Sequence, residues 1–398
     1  MKTHNPFYEF SSTTKKLYSL IQKNGPFTKG EILDKTGLKL TTVNRAIKPL
    51  LDYNLIQEVG IAESSGGRKP LIFGINTKGN YVIGIDLSRT YIQVVITDFK
   101  MNVIGKRSKD MTEDFSPDMV INYIGKMLNE LKSQYNIKCT EIIGAGVGTV
   151  GPLDKEKGIM INPKKFPSLG WEGLNIKELL QNELGLPVVV DNGANSAVFA
   201  EQYYGVGKGF NGIAYFNCGI GIRTGVVASN KIIRTHLNYE DTFAHMVVDM
   251  DGEKCSCGKY GCVEAYATIA AIFKKFIKEV KKGKKTNINT EVDEITYKDI
   301  CNAAENGDEL SREILRDAAT VFGIGLANYI NILSPEIVIL SGPLIQYSNY
   351  FYQICVENAE SNYTLTQNNK ILFSKQGKYK QDAISVGAAA TMIEEILN

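Results

Sequence analysis

Three cysteines within eight residues constrain this chain more than any other feature of its sequence. They stand in the segment Cys-Ser-Cys-Gly-Lys-Tyr-Gly-Cys at positions 255–262, and one of the three histidines of the chain precedes them. A structural zinc ion takes four ligands in a closed tetrahedron, and three cysteines with one histidine are a common set. The two glycines of the segment allow the tight turns that would bring the sulfurs to one ion. The spacing therefore predicts a structural Zn²⁺ site with the ligands His245, Cys255, Cys257 and Cys262.

Two other interpretations of the cysteines stay open, namely unlinked thiols in a loop and a disulfide. The disulfide is disfavoured because the chain has seven cysteines, an odd number, and those outside the cluster are scattered. The first residues, Met-Lys-Thr-His-Asn-Pro, lack the apolar core of a signal peptide. No apolar run approaches the roughly 20 residues that span a bilayer. We expect a cytoplasmic protein without a membrane partner.

The length and charge of the chain suggest a small basic domain on a larger body. A chain of 398 residues with 43% hydrophobic and 22% charged residues is typical of a soluble globular protein of two or three domains. The net charge of +2 is unevenly distributed, with 12 Lys and Arg against 6 Asp and Glu up to Lys78, and 33 against 37 after it. This split is expected of a DNA-binding head on a separate sensor or enzyme.

The first 78 residues show the pattern of a winged helix-turn-helix. Apolar residues at helical spacing predict a first helix over 13–22. Thr28 and Glu31 form the capping box of a second helix that ends near Gly37, and a third helix is predicted over 40–53. Two strands, over 56–60 and 71–76, flank the glycine-rich segment 64–70, which we interpret as a β-wing with two cations at its tip.

The third predicted helix carries polar residues opposite its apolar stripe, and such side chains suit phosphate oxygens and base edges. A solvated face on a protein-interaction module is the alternative, since the helix-turn-helix geometry alone does not prove DNA contact. Pro49 lies inside the helix and is expected to kink or end its last turn. The predicted DNA contacts on this helix and on the wing are Lys39, Thr41, Thr42, Asn44, Arg45, Lys48, Arg68 and Lys69.

The rest of the chain interleaves strands with helices. Strands are predicted over 81–86, 91–98, 103–106, 142–147, 186–191 and 337–340. Ser116 and Pro117 open an amphipathic helix as cap and first residue, and further helices are predicted over 195–204, 311–332 and 385–397. This alternation predicts an α/β sheet architecture.

The cysteine segment also resembles a known family. His245 followed by Cys-x-Cys-Gly-x-x-Gly-Cys-x-Glu, which ends at Glu264, resembles the zinc signature of the ROK family (repressors, open reading frames and sugar kinases). The head resembles that of ROK repressors, including a Gly-Gly-Arg-Lys-Pro wing, and ROK kinases lack such a head. The resemblance implies two actin-like, ribonuclease-H-like lobes with a cleft between them. It places the DNA-binding domain at 1–78, the first lobe at 79–200 with the C-terminal helix 385–398, and the second lobe with the zinc site at 201–384.

The resemblance allows each part of a kinase site to be compared. The first phosphate turn of the family, Asp-x-Gly-Gly-Thr, reads Asp-Leu-Ser-Arg-Thr at 86–90. The base motif Asn-Asp-Ala-Asn reads Asn-Gly-Ala-Asn at 192–195, so Gly193 replaces a general base of the kind that contributes roughly 10²–10⁴-fold. The second phosphate turn, Gly-Thr-Gly-x-Gly-x-Gly, reads Gly-Ile-Gly-Ile-Arg-Thr-Gly at 219–225. We therefore expect no catalysed phosphoryl transfer from ATP.

The resemblance also implies candidate ligand contacts. Sugar kinases of the family hold the hexose with the Asn and Asp of the base motif, a Glu-x-x-His pair, and the Glu after the last zinc cysteine. Asn192, His245 and Glu264 match, whereas Gly193 and Thr242 stand where the family has acids. The alternatives are a modified ligand, such as an amino sugar, a sugar phosphate or another glycan fragment, and a vestigial cleft that binds no hexose.

These features together favour a sequence-specific DNA-binding transcriptional regulator, acting as a repressor, of carbohydrate metabolism genes. Its body would be a catalytically inactive, sugar-kinase-like effector domain. Its partners would be operator DNA and a sugar or sugar derivative. We expect it to form a homodimer or a higher homo-oligomer. One alternative is a ROK-type ATP-dependent sugar kinase with a regulatory DNA-binding head. Another is a ligand-independent binding module with a closed cleft.

Overall fold

The computed structural model describes residues 6–63, 69–163, 166, 168–235, 240–364 and 370–398, with backbone alone at 240–241. The chain forms two units, Met1–Ser196 with Ile384–Asn398, and Ala197–Ala383. The three-domain division expected from the sequence stays a prediction.

Helices and strands alternate along the body, as the sequence predicts. The α-helices of the described residues are α1 (Ser12–Asn24), α2 (Lys29–Thr36), α3 (Leu40–Asp52), α4 (Pro117–Tyr135), α5 (Ile176–Leu184), α6 (Gly193–Tyr204), α7 (Glu264–Ala267), α8 (Ile269–Lys281), α9 (Tyr297–Glu305), α10 (Glu309–Leu333), α11 (Pro343–Tyr347), α12 (Asn349–Asn362) and α13 (Ala383–Leu397). The strands are β1 (Phe27–Thr28), β2 (Ile56–Ile61), β3 (Leu71–Ile75), β4 (Tyr81–Leu87), β5 (Tyr91–Asp98), β6 (Val103–Asp110), β7 (Ile142–Thr149), β8 (Leu153–Asp154), β9 (Ile159–Met160), β10 (Leu174–Asn175), β11 (Val188–Asn192), β12 (Ile213–Cys218), β13 (Ile222–Ala228), β14 (Lys231–Ile232), β15 (Ile337–Ser341) and β16 (Leu372–Lys375).

The head is a three-helix unit with a small sheet of order β1-β3-β2. The predicted capping box begins α2, since Thr28 Oγ1 accepts from the Glu31 N–H and Glu31 Oε2 accepts from the Thr28 N–H at 2.7 Å. Pro49 lies inside α3, which continues to Asp52, so the proline does not end the helix. Pro49 has no N–H, so the carbonyl of Arg45 one turn earlier loses its helical donor at this position.

The first unit contains a five-stranded sheet of order β11-β7-β4-β5-β6 in its described residues. Strands β4, β7 and β11 are parallel, and β5 and β6 are added antiparallel at one edge. Helix α13 lies directly on this sheet. A Cβ atom on Gly84 would lie 1.8 Å from the Ser385 carbonyl oxygen, and one on Gly146 would lie 1.7 Å from that of Ala388. Glycine is therefore required where α13 crosses the strands.

The head contacts the rest of the first unit through α1. Phe7 and Tyr18 pack against Phe99, each with ring centroids 6.2 Å from it, and Gln22 Nε2 donates to the Phe99 carbonyl oxygen at 2.9 Å. Lys23 Nζ pairs with Glu394 Oε2 of α13 at 2.6 Å. Helix α13 thus contacts both the sheet and the head.

The second unit contains a five-stranded sheet of order β14-β13-β12-β15-β16 in its described residues. One face of this sheet joins an apolar core with α8, α9, α10 and α12, which includes Phe216, Phe276, Phe322 and Phe351. Helix α10, predicted over 311–332, spans Glu309–Leu333 with Asp308 as its cap. No helix among the described residues is both long enough and apolar enough to cross a bilayer.

Candidate functional site

The third helix of the head presents a polar face to solvent. Val43, Ala46, Ile47 and Leu50 are buried on one side of α3. The predicted DNA contacts within the helix lie away from this side and are exposed, apart from the partly buried Thr42; they are Thr41, Thr42, Asn44, Arg45 and Lys48. Lys39, the sixth, is the exposed N-cap residue just before α3. The contact of these six residues with DNA stays a prediction.

The wing is a hairpin of β2 and β3. Ile61 pairs with Leu71, and the Ala62 N–H donates to the Pro70 carbonyl oxygen at 2.9 Å. Lys69 is exposed beside this base. Arg68, the other predicted wing contact, lies outside the described residues.

The four predicted metal ligands lie together in the second unit. Their ligand atoms are all within 4.8 Å of one another. Cys257 Sγ is 3.7 Å from Cys262 Sγ, and Cys255 Sγ is 3.6 Å from His245 Nδ1. Two sulfurs on one zinc ion at about 2.3 Å lie about 3.8 Å apart in a tetrahedron, and a sulfur and a nitrogen about 3.6 Å apart. The donor set and its spacing therefore fit a tetrahedral metal ion.

The backbone around the cluster is held by two short bridges, Val247 with Cys262 and Lys254 with Tyr260. Between them, the Cys255 N–H donates to the Lys259 carbonyl oxygen at 2.8 Å. All seven cysteines are free thiols, so the disulfide interpretation receives no support.

The thiols of the cluster differ in acidity. Burial, together with the sulfurs of Cys257 and Cys255, raises the pKa of the Cys262 thiol to about 12. Burial also opposes ionisation of Cys257, but the backbone N–H of Lys259 and the adjacent thiols lower the pKa of that thiol overall. Three thiols this close compete for negative charge, and a bound cation would remove that competition.

Glu264 lies beside this cluster, and His245 belongs to it. Glu264 is half-buried at the start of α7, where its Oε1 accepts from Ser256 Oγ at 3.0 Å. His245 directs Nδ1 to Cys255, which leaves Nε2 as its second polar atom. One imidazole can therefore serve both a metal and a ligand. Asn192, the third predicted ligand contact, belongs to the first unit.

The end of β11 and the start of α6 contain buried polar atoms that have no hydrogen-bond partner among the described residues. Asn192 Oδ1 accepts from the Ala194 N–H at 2.9 Å, but its Nδ2 is buried and has no hydrogen-bond partner among the described residues. The same holds for both amide atoms of Asn195 and for Ser196 Oγ. Buried polar groups are normally satisfied, so a polar ligand or water would supply the partners that these atoms lack. Sequence reasoning missed Asn195 and Ser196 as candidates, although Asn195 is the second asparagine of the compared motif.

The carboxylate of Asp191, two residues before Gly193, already has hydrogen-bond and ion-pair partners. Asp191 Oδ1 accepts from the Asn192 N–H at 2.8 Å, and Oδ2 pairs with Lys155 Nζ at 3.3 Å. At the first compared turn, the buried Asp86 accepts from Tyr91 Oη at 2.6 Å.

Two sequence profiles match the chain. That of the ROK family matches residues 82–395, and that of a winged helix-turn-helix DNA-binding domain matches residues 10–57. The xylose repressor of Bacillus spizizenii is 30% identical over 96% of this chain and 95% of its own length.

Solved structures share the fold. One is a ROK family transcriptional regulator, a homologue of the E. coli MLC protein. Its structure aligns with 97% of this chain and 96% of its own chain, with a TM-score of 0.80 and 22% sequence identity. A ROK family glucokinase from Streptomyces griseus, in complex with glucose and AMPPNP, covers 78% of this chain and 99% of its own with a TM-score of 0.68 at 22% identity. These likenesses confirm the predicted fold, a winged helix-turn-helix followed by a sugar-kinase-like α/β fold.

Proposed function

This chain belongs to the ROK family, and on that premise we propose that it is a sequence-specific DNA-binding transcriptional repressor of carbohydrate metabolism genes. The observation that carries the proposal is the exposed polar face of α3, on a winged helix-turn-helix that precedes a ROK body. The name of the relative that aligns along nearly the whole chain, a xylose repressor, supports it.

The head contacts operator DNA through α3 and the wing. Threonine and asparagine side chains and arginine guanidinium groups reach base edges and phosphates, and lysines neutralise phosphate charge. The residues proposed for these contacts are Lys39, Thr41, Thr42, Asn44, Arg45, Lys48, Arg68 and Lys69.

The body binds a sugar or sugar derivative that changes the affinity for DNA. The proposed contacts are Asn192, His245 and Glu264. Near Asn192, the atoms of Asn195 and Ser196 that are buried without partners among the described residues support a polar ligand. Such a ligand can shift the DNA-bound state only by the difference between its affinities for two conformations of the protein.

The body senses its ligand without phosphorylating it. Glycine at position 193 cannot transfer a proton, and Asp191 is occupied by Lys155 and by a backbone N–H. The observed pairing of Asp191 supports the absence of a substitute base.

A structural Zn²⁺ ion binds His245, Cys255, Cys257 and Cys262. The ion would cross-link the cysteine loop to His245, the last residue of a short 3₁₀ helix (Glu240–His245), and so hold Glu264 at the start of α7. We further propose that the protein acts in the cytoplasm, where its DNA lies, and that it is a homodimer or higher homo-oligomer, because paired heads suit paired half-sites.

Binding of the full-length protein to a DNA fragment from its own promoter region tests the proposal. We expect the affinity to fall steeply as salt rises, because phosphate contacts release counterions. Arg45→Ala removes an exposed guanidinium of α3 and should weaken binding by about 1–3 kcal/mol, or roughly 5–150-fold, if it contacts a base.

The matched control is Lys16→Ala, which removes an exposed cation from α1 of the same head. It should leave the affinity within about twofold of the parent, since an exposed cation away from the DNA contributes only weak long-range attraction. Equal losses of DNA affinity in the two variants would mean that Arg45 contributes only through its positive charge. Failure of the protein to bind duplex DNA at low salt would contradict the proposal.

The two alternatives have their own assays. ATP-dependent phosphorylation of a hexose and pentose panel, lost in Asn192→Ala, would instead establish a sugar kinase. Stabilisation of the protein against heat by any sugar of the panel excludes a closed, ligand-independent module, since ligand binding to the native state raises the melting temperature.

A further inference from the structure

The segment from Lys274 to Lys285 is the most basic stretch of the body. It holds seven lysines and one glutamate, whereas the other residues after Lys78 hold 26 Lys and Arg against 36 Asp and Glu. The segment consists of the second half of α8 (Ile269–Lys281) and the residues that follow it. A body with an acidic excess thus concentrates positive charge in one short segment.

Some of these lysines have carboxylate partners on α8 or α10, at N–O distances from 2.7 to 3.3 Å. The pairs are Lys275 with Asp317, Lys282 with Glu279, and Lys284 with Glu279 and Glu313. In the part of the chain that the structure describes, no ion pair joins the other lysines to a carboxylate, and these are Lys274, Lys278, Lys281 and Lys285. The segment therefore keeps positive charge that its own surroundings do not neutralise.

Three of the lysines without carboxylate partners lie along one side of α8. Lys274, Lys278 and Lys281 stand at positions i, i+4 and i+7, so they share one face of the helix over a rise of about 10 Å. All three are exposed, and so is Lys285, which follows the end of the helix. We call the three helical residues the basic stripe.

The opposite side of α8 belongs to the apolar core of the second unit, where Ile272 and Phe276 are buried. The basic stripe is therefore presented to solvent by a helix that its apolar side holds in place. Like charges at i, i+4 destabilise a helix, and the helix dipole favours cations only in the last turn. Lys274 lies in the middle of α8, so helix stability alone does not account for the stripe.

We propose that the basic stripe binds the phosphate backbone of duplex DNA without reading its sequence. Lysine is a compact point charge, and contacts with phosphates carry no sequence information. Duplex DNA has one negative charge per about 1.7 Å of its axis, so ammonium groups spread over about 10 Å meet a row of phosphates. The choice of DNA rests on the proposed function, because a head that holds DNA keeps further DNA close to the body.

The stripe suits other anionic partners less well. A helix that lies on a membrane inserts apolar side chains, and none of the large hydrophobic residues of α8, all of which the structure describes, is exposed. The cores of protein interfaces are depleted in lysine and enriched in arginine and aromatic residues. The segment from Lys274 to Lys285 contains no arginine, and its one aromatic residue, Phe276, is buried.

The test is equilibrium binding of the full-length protein to a labelled duplex of non-operator sequence over a range of salt concentrations. Lys274→Gln/Lys278→Gln/Lys281→Gln removes the three charges and keeps side chains that form helices well. We expect its affinity for this duplex to fall by about tenfold or more at low salt. The slope of log affinity against log salt should fall by about one for each lysine that contacts a phosphate.

The matched control is Lys208→Gln/Lys231→Gln/Lys370→Gln, which removes the same charge from exposed positions of the same unit outside the segment. At about 0.1 M salt, where the Debye length is about 10 Å, this control should bind the duplex within about twofold of the parent. Equal losses in the two triple variants would mean that only the net charge matters, and would overturn the proposal.

Asn44→Ala/Arg45→Ala in the head separates this proposal from that of the repressor. The stripe variant should lose the same factor of non-operator affinity in this background as in the parent, because the two sites are independent. Unchanged non-operator affinity of the stripe variant, with the preference for operator intact, would overturn the α8 site alone. Lack of any operator preference in the parent, with the loss in the stripe variant still observed, would count against the repressor alone.

Melting temperatures check that each variant folds. Should the triple variant fail to fold, Lys274→Gln/Lys278→Gln gives the same test with an expected loss of severalfold. Vesicles of phosphatidylserine and phosphatidylcholine supply the competing anionic surface. If the stripe variant lost binding to these vesicles and kept its affinity for the duplex, the stripe would be a membrane contact and the proposal would be wrong.

Discussion

Gly261 precedes Cys262 at a position where a side chain would overlap the backbone of another segment. Its φ is 69°, and a Cβ atom on it would lie 1.5 Å from the Asp249 carbonyl oxygen. Gly258, in the same loop, has φ 93° but nothing within 4 Å of its Cβ position. The two glycines share a left-handed backbone and differ only in the space beside them.

We expect Gly261→Ala to lose bound metal and to melt at a lower temperature than Gly258→Ala. Both variants incur the left-handed strain of about 1–2 kcal/mol, but only Gly261→Ala must also displace the backbone at Asp249, next to the cluster. The measurement is zinc content by mass spectrometry together with the melting temperature. Equal zinc content in both variants would show that the close approach of Gly261 to the Asp249 backbone is not needed for metal binding.

Among single residues, the sequence predicts the members of the cysteine cluster but not which buried polar atoms lack partners. The spacing of the cysteines predicted which residues gather, because a tetrahedral ion and a short loop leave few other arrangements. Both amide atoms of Asn195 and the Nη1 atom of Arg223 have no hydrogen-bond partner among the described residues. This could not be predicted, because it depends on which atoms of distant strands and helices lie nearby.

At the scale of elements, α13 lies unusually close to its sheet. Gly84 and Gly146 on adjacent strands leave room for the carbonyl oxygens of Ser385 and Ala388. The helix was predicted from its apolar sequence, but which strands it crosses was not, because a glycine in a strand does not indicate which element approaches it.

We expect Gly146→Ala to destabilise the protein by an amount at or above the roughly 1–3 kcal/mol that overpacking a core costs. The added methyl group would overlap the backbone of α13, which cannot rotate away as a side chain can. Gly60→Ala is the control, since its Cβ would meet only Ile72 Cδ1 at an ordinary 3.7 Å. Denaturant unfolding measures both, and similar midpoints would contradict the tight contact.

At the scale of the whole molecule, the same helix joins the body of the first unit to the head. Its C-terminal part pairs with α1 through Glu394 and Lys23, whose side chains are 32% and 13% exposed. Lys15 Nζ also donates to the Ile396 carbonyl oxygen at 2.8 Å. The DNA-binding head is thus held to the helix that crosses the sheet, which provides a direct mechanical connection between them.

We expect Glu394→Lys to loosen this attachment and to alter the response of DNA binding to ligand more than it alters overall stability. The charge reversal places two lysines together, and the double variant Lys23→Glu/Glu394→Lys should restore the parent behaviour. Operator affinity with and without ligand, and protease cleavage near residue 78, are the measurements. Asp317→Ala, which breaks the exposed pair with Lys275, is the control.

No change in cleavage or in ligand response on Glu394→Lys would show that the attachment is incidental to regulation. Failure of the double variant to restore the parent would instead locate the effect outside this pair.

Local patterns in the sequence were enough to predict helices and their caps, the winged head, the alternation of strands and helices, and the four residues that lie close enough together to hold a metal ion. These depend on periodicity, on capping chemistry and on ligands close together in the chain, all of which act over short separations. The folded structure was needed to show that α13 lies on Gly84 and Gly146 and reaches the head, and that the Nη1 atom of Arg223 is buried with no hydrogen-bond partner among the described residues. Those facts depend on contacts between residues far apart in sequence, where burial and the identity of the neighbour fix the energy of each group.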